Sequence, residues 1–316
     1  MFLLGREGAN YTFDMTSGDV EGRLATNGSL RAISFGVGSR IVPCNASVAS
    51  VIVAGENSTI NFQGGVQCGT LVAENSADII SLPGFANGRP LLGSVQNITG
   101  VNFTAEADQL NATANALCAA ADSSVAATVS AWREISFAGS ANATQAFSVN
   151  ASDINVASSA TFNFPNASAV QSVVVTIVGD DNVTFTNFGI NNGGVPGAYI
   201  TYVVCSAEQV TVRGFGLQGN LLAFNSSVIV ENGQIVGNVV AQTMSGSGGG
   251  EVHVPECPTP VPSPSASPSA SPSASASPSA SASPSASPSP SASPSASPST
   301  SASPSASPST SASPSA

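Results

Sequence analysis

The stretch Ile229–Gln242, "IVENGQIVGNVVAQ", contains a motif that the chain uses repeatedly. Short aliphatic runs alternate with polar spacers that contain glycine, and the last run closes on an alanine. Related stretches are Gly216–Ser227, "GLQGNLLAFNSS", and, near the start, Asp19–Ser29, "DVEGRLATNGS". Further copies begin at Val51 and Thr70, and the period is about 17 to 21 residues, a spacing typical of solenoids.

Each repeat predicts one coil of a β-solenoid. Runs such as Val51–Val53 and Ser227–Val230 are β-branched and alternate, which favours strands of a few residues. The Asn-Gly and Asn-Ser pairs between them suit sharp corners. A single coil cannot bury its inner face, so coils must stack and pair in parallel. We therefore expect a mainly β fold, with Leu221, Val239 and Val240 packing at the end of the stack.

A helical pattern interrupts the repeats at residues 104–132. Apolar residues recur there in steps of three and four, at Ala107, Leu110, Ala114, Leu117, Ala121, Val125, Val129 and Trp132. Many of them are alanine, which allows a helix to lie close to a flat sheet. The pattern predicts one long α-helix flanking the solenoid.

Composition divides the chain into a head, residues 1–257, and a tail, residues 258–316. The tail is a Ser/Pro/Ala-rich array without charged or aromatic residues, so it predicts a disordered stalk that favours extended polyproline-II structure. The whole chain has a net charge of −11, and its seven basic residues are scattered arginines. Such a charge distribution argues against nucleic-acid binding.

Twelve Asn-x-Ser/Thr sequons indicate a secreted, N-glycosylated protein. The alternative is that asparagine simply suits the turns of a repeat. The acceptor residues are Asn10, Asn27, Asn45, Asn57, Asn97, Asn102, Asn111, Asn142, Asn150, Asn166, Asn182 and Asn225. The sequence shows no membrane-spanning segment, and its start is too short for a signal peptide. We expect an extracellular or cell-surface location and a missing signal peptide upstream of Met1.

The five cysteines predict disulfides that staple the head. Cys44 and Cys68 are close enough to lie on neighbouring coils, and Cys205 could reach Cys257. Cys118 would then be left over, or paired with a cysteine missing from the N-terminus. Sequence alone leaves the connectivity open. No cysteine pair has zinc-site spacing, and His253 is the only histidine, so we expect no metal or cofactor site.

The chain resembles the choice-of-anchor A family of surface-exposed domains over roughly residues 1–256. The most specific motifs are "DVEGRLA" at Asp19–Ala25 and "NGQIVGNVVA" at Asn232–Ala241, together with the long Ala-rich helix between them. This resemblance implies a surface location and brings no catalytic residues. The same strand–helix–strand order also resembles the solenoid-plus-helix ice-binding proteins.

These features favour an extracellular structural or adhesive protein, a solenoid head on a Ser-Pro stalk. Its partner would be an unidentified cell-wall or matrix polysaccharide or protein. The alternative is ice binding, which needs a flat array of small hydroxyl and methyl groups. Candidate residues for such an array are Thr184, Thr186, Thr201 and Thr211.

A carbohydrate-active enzyme is the third hypothesis. Asp180 and Asp181 are adjacent carboxylates, and neighbours on a strand point to opposite faces, so they do not form a facing acid–base pair. A turn, or else a calcium site, explains them better. His253 and Glu251 lie two residues apart in the last strand, where a surface histidine is expected. We therefore predict a protein without catalytic residues.

Overall fold

The computed structural model describes residues 1–5, 10–180 and 182–255, and these form the predicted solenoid of parallel strands with few helices. The expected disordered tail, residues 258–316, lies outside the described residues, as do Cys257 and Asp181.

The strands are short and follow one another along the chain. They are β1 (Phe2–Leu3), β2 (Phe13–Val20), β3 (Leu24–Thr26), β4 (Leu30–Val37), β5 (Ala49–Val53), β6 (Thr59–Val66), β7 (Thr70–Ala73), β8 (Asp78–Ser81), β9 (Gly84–Phe85), β10 (Pro90–Leu92), β11 (Val125–Ala126), β12 (Thr128–Val129), β13 (Glu134–Ala138), β14 (Thr144–Asn150), β15 (Ser159–Asn163), β16 (Ser172–Val178), β17 (Val183–Thr186), β18 (Gly189–Asn191), β19 (Ile200–Val204), β20 (Gln209–Arg213), β21 (Gly216–Gln218), β22 (Asn220–Glu231), β23 (Gln234–Val236), β24 (Val239–Ser247) and β25 (Gly250–His253). The helices are α1 (Val95–Thr99), α2 (Phe103–Ala119) and α3 (Ala151–Val156), with 3-10 turns at Ala121–Ser123, Ala167–Ala169 and Gly197–Tyr199.

Strand pairing arranges each coil around three faces. The covered face is one continuous parallel ladder in the order β10, β7, β5, β3, β1, β24, β22, β19, β16, β14 and β11, in which β22 and β24 contribute their first halves. The polar face is the ladder β8, β6, β4, β2, β24, β22, β20 and β17, with the first halves of β2, β4 and β6 and the second halves of β22 and β24.

The third face is formed by the second halves of β2, β4 and β6 with β9, β25, β23 and β21. A smaller sheet of β13, β15 and β18, with β12 antiparallel at its edge, belongs to the coils at the far end. The strands β2 and β4 bend between the polar and third faces at Ser17 (φ 69°) and Ser34 (φ 52°). The left-handed backbone at these serines turns one strand from one face into the next.

The closing coils lie in the middle of the stack, and the prediction that they end it is wrong. Strand β24 pairs with β22 on one side and with β1 and β2 on the other. The chain therefore starts in the middle, builds coils outward to β10, and continues from β11 at the opposite end back toward its own start. Pairing of the last coil with the first satisfies the backbone groups that each would otherwise expose at an open edge.

Inward-pointing side chains fill the interior with aliphatic and aromatic groups. The largest fully buried residues include Phe13, Phe62, Phe147, Phe162 and Phe185. The rings of Phe137 and Phe162 stack with centroids 4.6 Å apart on adjacent strands of the smaller sheet. Alternation of buried and outward residues along strands such as β15 confirms the two-residue period of the sequence.

Helix α2 confirms the predicted flanking helix but is shorter than expected. Its apolar stripe, including Leu110, Ala114 and Leu117, packs on Val203 and Val240 of the covered face. Beyond Ala119 the predicted helix is wrong, because a 3-10 turn and strands β11 and β12 follow. Trp132 is 87% exposed there.

Beyond Ala119 the apolar residues still recur in steps of three and four, but this spacing does not form a helix because of the local residue types. Val125, Thr128 and Val129 are β-branched and favour extended backbone, and β11 pairs with β14 as part of the terminal coil. Among the described residues, no helix has both the length and the apolar character required to cross a bilayer.

The register of the closing coil predicts a large effect of Val239→Asp. The Val239 side chain is fully buried opposite Leu221, so the variant places an unpaired carboxylate in the core. We expect a loss of about 4 kcal/mol in the free energy of unfolding, measured by urea denaturation. Thr186→Asp is the control, since Thr186 is exposed and opposite Arg213. Equal stability of both variants would contradict the assigned register.

The buried Tyr202 hydroxyl predicts a stabilising substitution. Its oxygen has no hydrogen-bond partner among the described residues, and burial raises the pKa of Tyr202 above its ordinary value. Tyr202→Phe removes the unsatisfied hydroxyl, so we expect the free energy of unfolding to rise by about 1 kcal/mol at pH 7. Half-buried Tyr199→Phe is the control.

We also expect the free energy of unfolding of the parent and of Tyr202→Phe to depend differently on pH. Because the folded-state pKa of Tyr202 is raised, the unfolded chain loses its tyrosine proton first, and the parent loses stability as pH rises above about 10. The Tyr202→Phe variant should lack this contribution in urea titrations at pH 7 and above pH 10. A less stable Phe variant at both values would show that the hydroxyl has a partner.

Candidate functional site

The polar face carries a row of outward side chains across seven adjacent strands. The cross-strand neighbours in this row are, in order, Thr184, Thr211, Ile229, Ser245, Asp14, Arg31 and Asn61. At the usual strand spacing the row is about 29 Å long. Helices α1 and α2 pack on the covered face, which distinguishes that face from the polar one.

The threonine array proposed from the sequence is only partly assembled. Thr184 and Thr211 are direct register partners on β17 and β20, and Thr186 lies two residues from Thr184 on the same side. Thr201 is not part of this array, because β19 belongs to the covered face, where Thr201 lies between Val174 and Asn220. The sequence could not distinguish the two faces, because both contain β-branched residues at alternate positions.

Two ion pairs interrupt the polar face. The Arg31 Nη1 donates to Asp14 Oδ1 at 3.0 Å, and Arg213 Nε donates to Glu231 Oε2 at 2.6 Å. Both pairs join adjacent strands, and their side chains are one third to one half exposed. The face is therefore largely hydrophilic, with hydroxyl, amide and charged groups in register.

A second cluster of polar side chains lies on the third face, where β2 meets β25. Asp19 and Glu251 are direct cross-strand neighbours, and His253 Nε2 lies 2.7 Å from Glu251 Oε2. The His253 Nδ1 is 3.6 Å from Glu21 Oε1. Burial raises the pKa of the Asp19 carboxyl above its ordinary value, and the nearby carboxylates of Glu251 and Glu21 raise it further. The expected pairing of Glu251 and His253 on one face of the last strand is confirmed.

The disulfides confirm one predicted pair and correct the other. Cys44 and Cys68 are bonded, with Cα atoms 5.4 Å apart. Cys205 bonds Cys118, with Cα atoms 5.7 Å apart, so the expected Cys205–Cys257 pair and the unpaired Cys118 are wrong. The reason is the position of α2, whose C-terminal end lies beside the end of β19. The separation of Cys118 and Cys205 in the sequence gave no indication that the two residues are in contact.

All twelve sequon asparagines are exposed. Six of them lie in the corner that joins the covered face to the polar face, namely Asn10, Asn27, Asn57, Asn150, Asn182 and Asn225. Asn225 lies within β22, just before the half of that strand that belongs to the polar face, and the other eleven lie outside the strands of the polar face. Glycans at these positions would therefore flank the polar face without covering it.

Of the acidic pair considered for catalysis, the structure describes one member. Asp180 is exposed in a bend after β16, and Asp181 lies outside the described residues. Open grooves occur at the corners of the coil, and one of about 420 Å³ is lined by Phe215, Asn232, Gln234 and several glycines.

Comparison with solved structures finds ice-binding proteins. One is from the Antarctic ascomycete Antarctomyces psychrotrophicus, with 12% identity, a TM-score of 0.36, and coverage of 79% of this chain and 98% of that one. A glycosylated ice-binding protein from an Arctic yeast has 14% identity, a TM-score of 0.32, and coverage of 79% and 93%. We draw no functional conclusion from likenesses of this size. No curated protein matches the chain.

Residues 8–254 match the family described as "Putative Ice-binding-like adhesive domain". This description differs from that of the choice-of-anchor A family, whose motifs the sequence resembles, and it agrees with the resemblance of the strand–helix–strand order in the sequence to ice-binding proteins. The match includes both halves of the solenoid and the helix between them. Because the match extends over most of the residues of the chain, the chain belongs to this ice-binding-like adhesive domain family.

Proposed function

We propose that the protein is a secreted or cell-surface adhesive protein that binds an ordered, polar target through the polar face. The observation that carries this proposal is the row from Thr184 to Asn61, which places outward side chains in register across seven strands. A row with a fixed repeat suits a target that is itself repetitive. The family to which the chain belongs supports an adhesive role.

The side chains of the polar face favour a hydroxyl-rich polymer, such as a cell-wall or matrix polysaccharide, over a hydrophobic partner. Ser245 and Asn61 offer hydroxyl and amide groups, and the Arg31–Asp14 ion pair offers both donors and acceptors. The sequons that flank this face are consistent with a glycoprotein whose glycans leave the contact surface open. A matrix protein remains the second target class in the binding test.

Ice binding is the alternative function on the same face. Thr184 and Ile229 offer a hydroxyl and methyl groups that a regular water lattice could match, whereas Thr211 between them is buried and its Oγ1 accepts from Gln209 Nε2. Two ion pairs oppose this function. Arg31–Asp14 lies further along the row, and Arg213–Glu231 lies beside its threonine end, on the strands of Thr211 and Ile229. Charged groups hold their own hydration water strongly, and this water does not adopt the spacing of ice.

Two further proposals concern how the head is displayed and whether it catalyses a reaction. We propose that residues 258–316 act as a stalk that holds the head away from its attachment point, in line with the resemblance to choice-of-anchor A domains. We also propose that the head acts by binding alone, without catalysis. Deletion of residues 258–316 tests these roles. We expect the shortened protein to lose its retention at the surface while the melting temperature of the head stays unchanged.

The contact surface is tested by Ser245→Tyr, which places a bulky ring at the centre of the polar face. Ala138→Tyr is the matched control, because Ala138 is exposed on β13 of the smaller sheet. Binding is measured on insoluble wall polysaccharides and on matrix-protein arrays. We expect Ser245→Tyr to weaken binding by about tenfold or more and the control to bind like the parent.

The same proteins are then tested on ice. Ice-crystal shaping by the parent that is lost in Ser245→Tyr, without polymer binding, would favour the alternative. Equal behaviour of Ser245→Tyr and the parent on every target would contradict a contact role for the polar face.

A further inference from the structure

The first and last coils of the solenoid meet on the third face, along a seam formed by the end of β2 and by β25. Asp19 is the register partner of Glu251, and Val20 is the partner of Val252. The Glu21 backbone N–H then donates to the Val252 carbonyl at 3.0 Å. Because side chains alternate along strands, Asp19, Glu21, Glu251 and His253 all point outward on the same side.

The seam brings like charges into direct opposition. Carboxylates that face each other across two strands destabilise the pair unless a positive charge lies between them. The Arg40 guanidinium lies on the outer side of this cluster, 3.5 Å from Glu21 Oε2. The Asp19 and Glu251 carboxylates have no comparable arginine contact among the described residues.

We propose that Asp19, Glu251 and His253 bind one divalent transition-metal ion, of which Zn²⁺ is the representative. One ligand atom of each residue lies within 4.8 Å of the others. In a tetrahedral zinc site the ligand atoms are about 3.4 Å apart. The three side chains are only half-buried, so small rotations bring them to that distance.

Glu21 is placed to orient the His253 ring in such a metal site. A histidine that binds a metal through one ring nitrogen usually donates its other N–H to a carboxylate. Here His253 Nε2 points to the Glu251 side, and its Nδ1 lies 3.6 Å from Glu21 Oε1. Glu21 is itself held, since its Oε2 accepts from the Val254 backbone N–H at 3.0 Å.

The donor set selects among cations. One imidazole nitrogen with two carboxylate oxygens suits Zn²⁺, Mn²⁺ or Co²⁺, whereas Ca²⁺ and Mg²⁺ prefer oxygen ligands alone. Asp19 comes from the first coil, and Glu251 and His253 come from the last. A bound ion would therefore tie together segments more than 230 residues apart and would stabilise the closure of the solenoid.

The experiment uses the full chain in a Cys257→Ser background, which removes the cysteine that lies outside the two disulfides. The protein is stripped with EDTA and titrated with Zn²⁺ by calorimetry, and its melting temperature is followed. At a hundredfold excess of Zn²⁺ over the dissociation constant we expect a rise in melting temperature of about 5 to 10 °C. Ca²⁺ and Mg²⁺ should produce a clearly smaller shift.

Variants assign the ligands. His253→Ala should abolish the Zn²⁺ shift, and Asp19→Asn should weaken binding by about tenfold or more. Asp14→Asn is the matched control, because Asp14 lies on the same strand but on the polar face. In EDTA, Asp19→Asn should melt no lower than the parent, so its loss of binding would not reflect unfolding.

Cobalt gives an independent readout of the ligands. Co²⁺ bound by His253 and two carboxylates in a tetrahedral site should show a visible absorption band that disappears in His253→Ala. Zn²⁺ binding that is unchanged in His253→Ala and Asp19→Asn would overturn the proposal. Absence of any Zn²⁺ binding below millimolar concentration would overturn it as well, and the seam would then be an ordinary surface ion pair.

Discussion

The structure depends on the pairing of the first coil with the last. Strands β1 and β2 accept β24 and β25 as parallel neighbours, so the two halves of the solenoid form one uninterrupted stack. This arrangement requires the chain to travel from one end of the stack to the other. The chain passes from β10 at one end of the stack to β11 at the other, and helix α2 spans the middle of that path.

The length of α2 matches the middle of this path, between β5 and β19. Its 17 residues give a helix of about 26 Å. The covered face between β5, near the start of α2, and β19, near its end, spans five strand spacings, or about 24 Å. Phe103 stacks on Phe2 at one end, and Cys118 is bonded to Cys205 at the other. Helix α2 packs on part of the covered face and does not cover the polar face.

The repeats could be predicted from sequence because they are local. Runs such as Val51–Val53 show strand length, alternation and corners within one repeat, and the stripe from Ala107 to Leu117 shows a helix. Stack order could not be predicted, since every coil offers similar backbone edges. The contact between Cys118 and Cys205 and the cluster around His253 follow from that order, so they appear only when the first and last coils are paired.

The pairing of first and last coils can be measured directly by an engineered disulfide. Asp14 and Ser245 are outward register partners on β2 and β24, so Asp14→Cys with Ser245→Cys, in a Cys257→Ser background, should oxidise to a cross-link detectable by peptide mass spectrometry. Asp14→Cys with Ile229→Cys places the thiols two strands apart and should not cross-link. Failure of the first pair, or equal cross-linking of both, would contradict the closed stack.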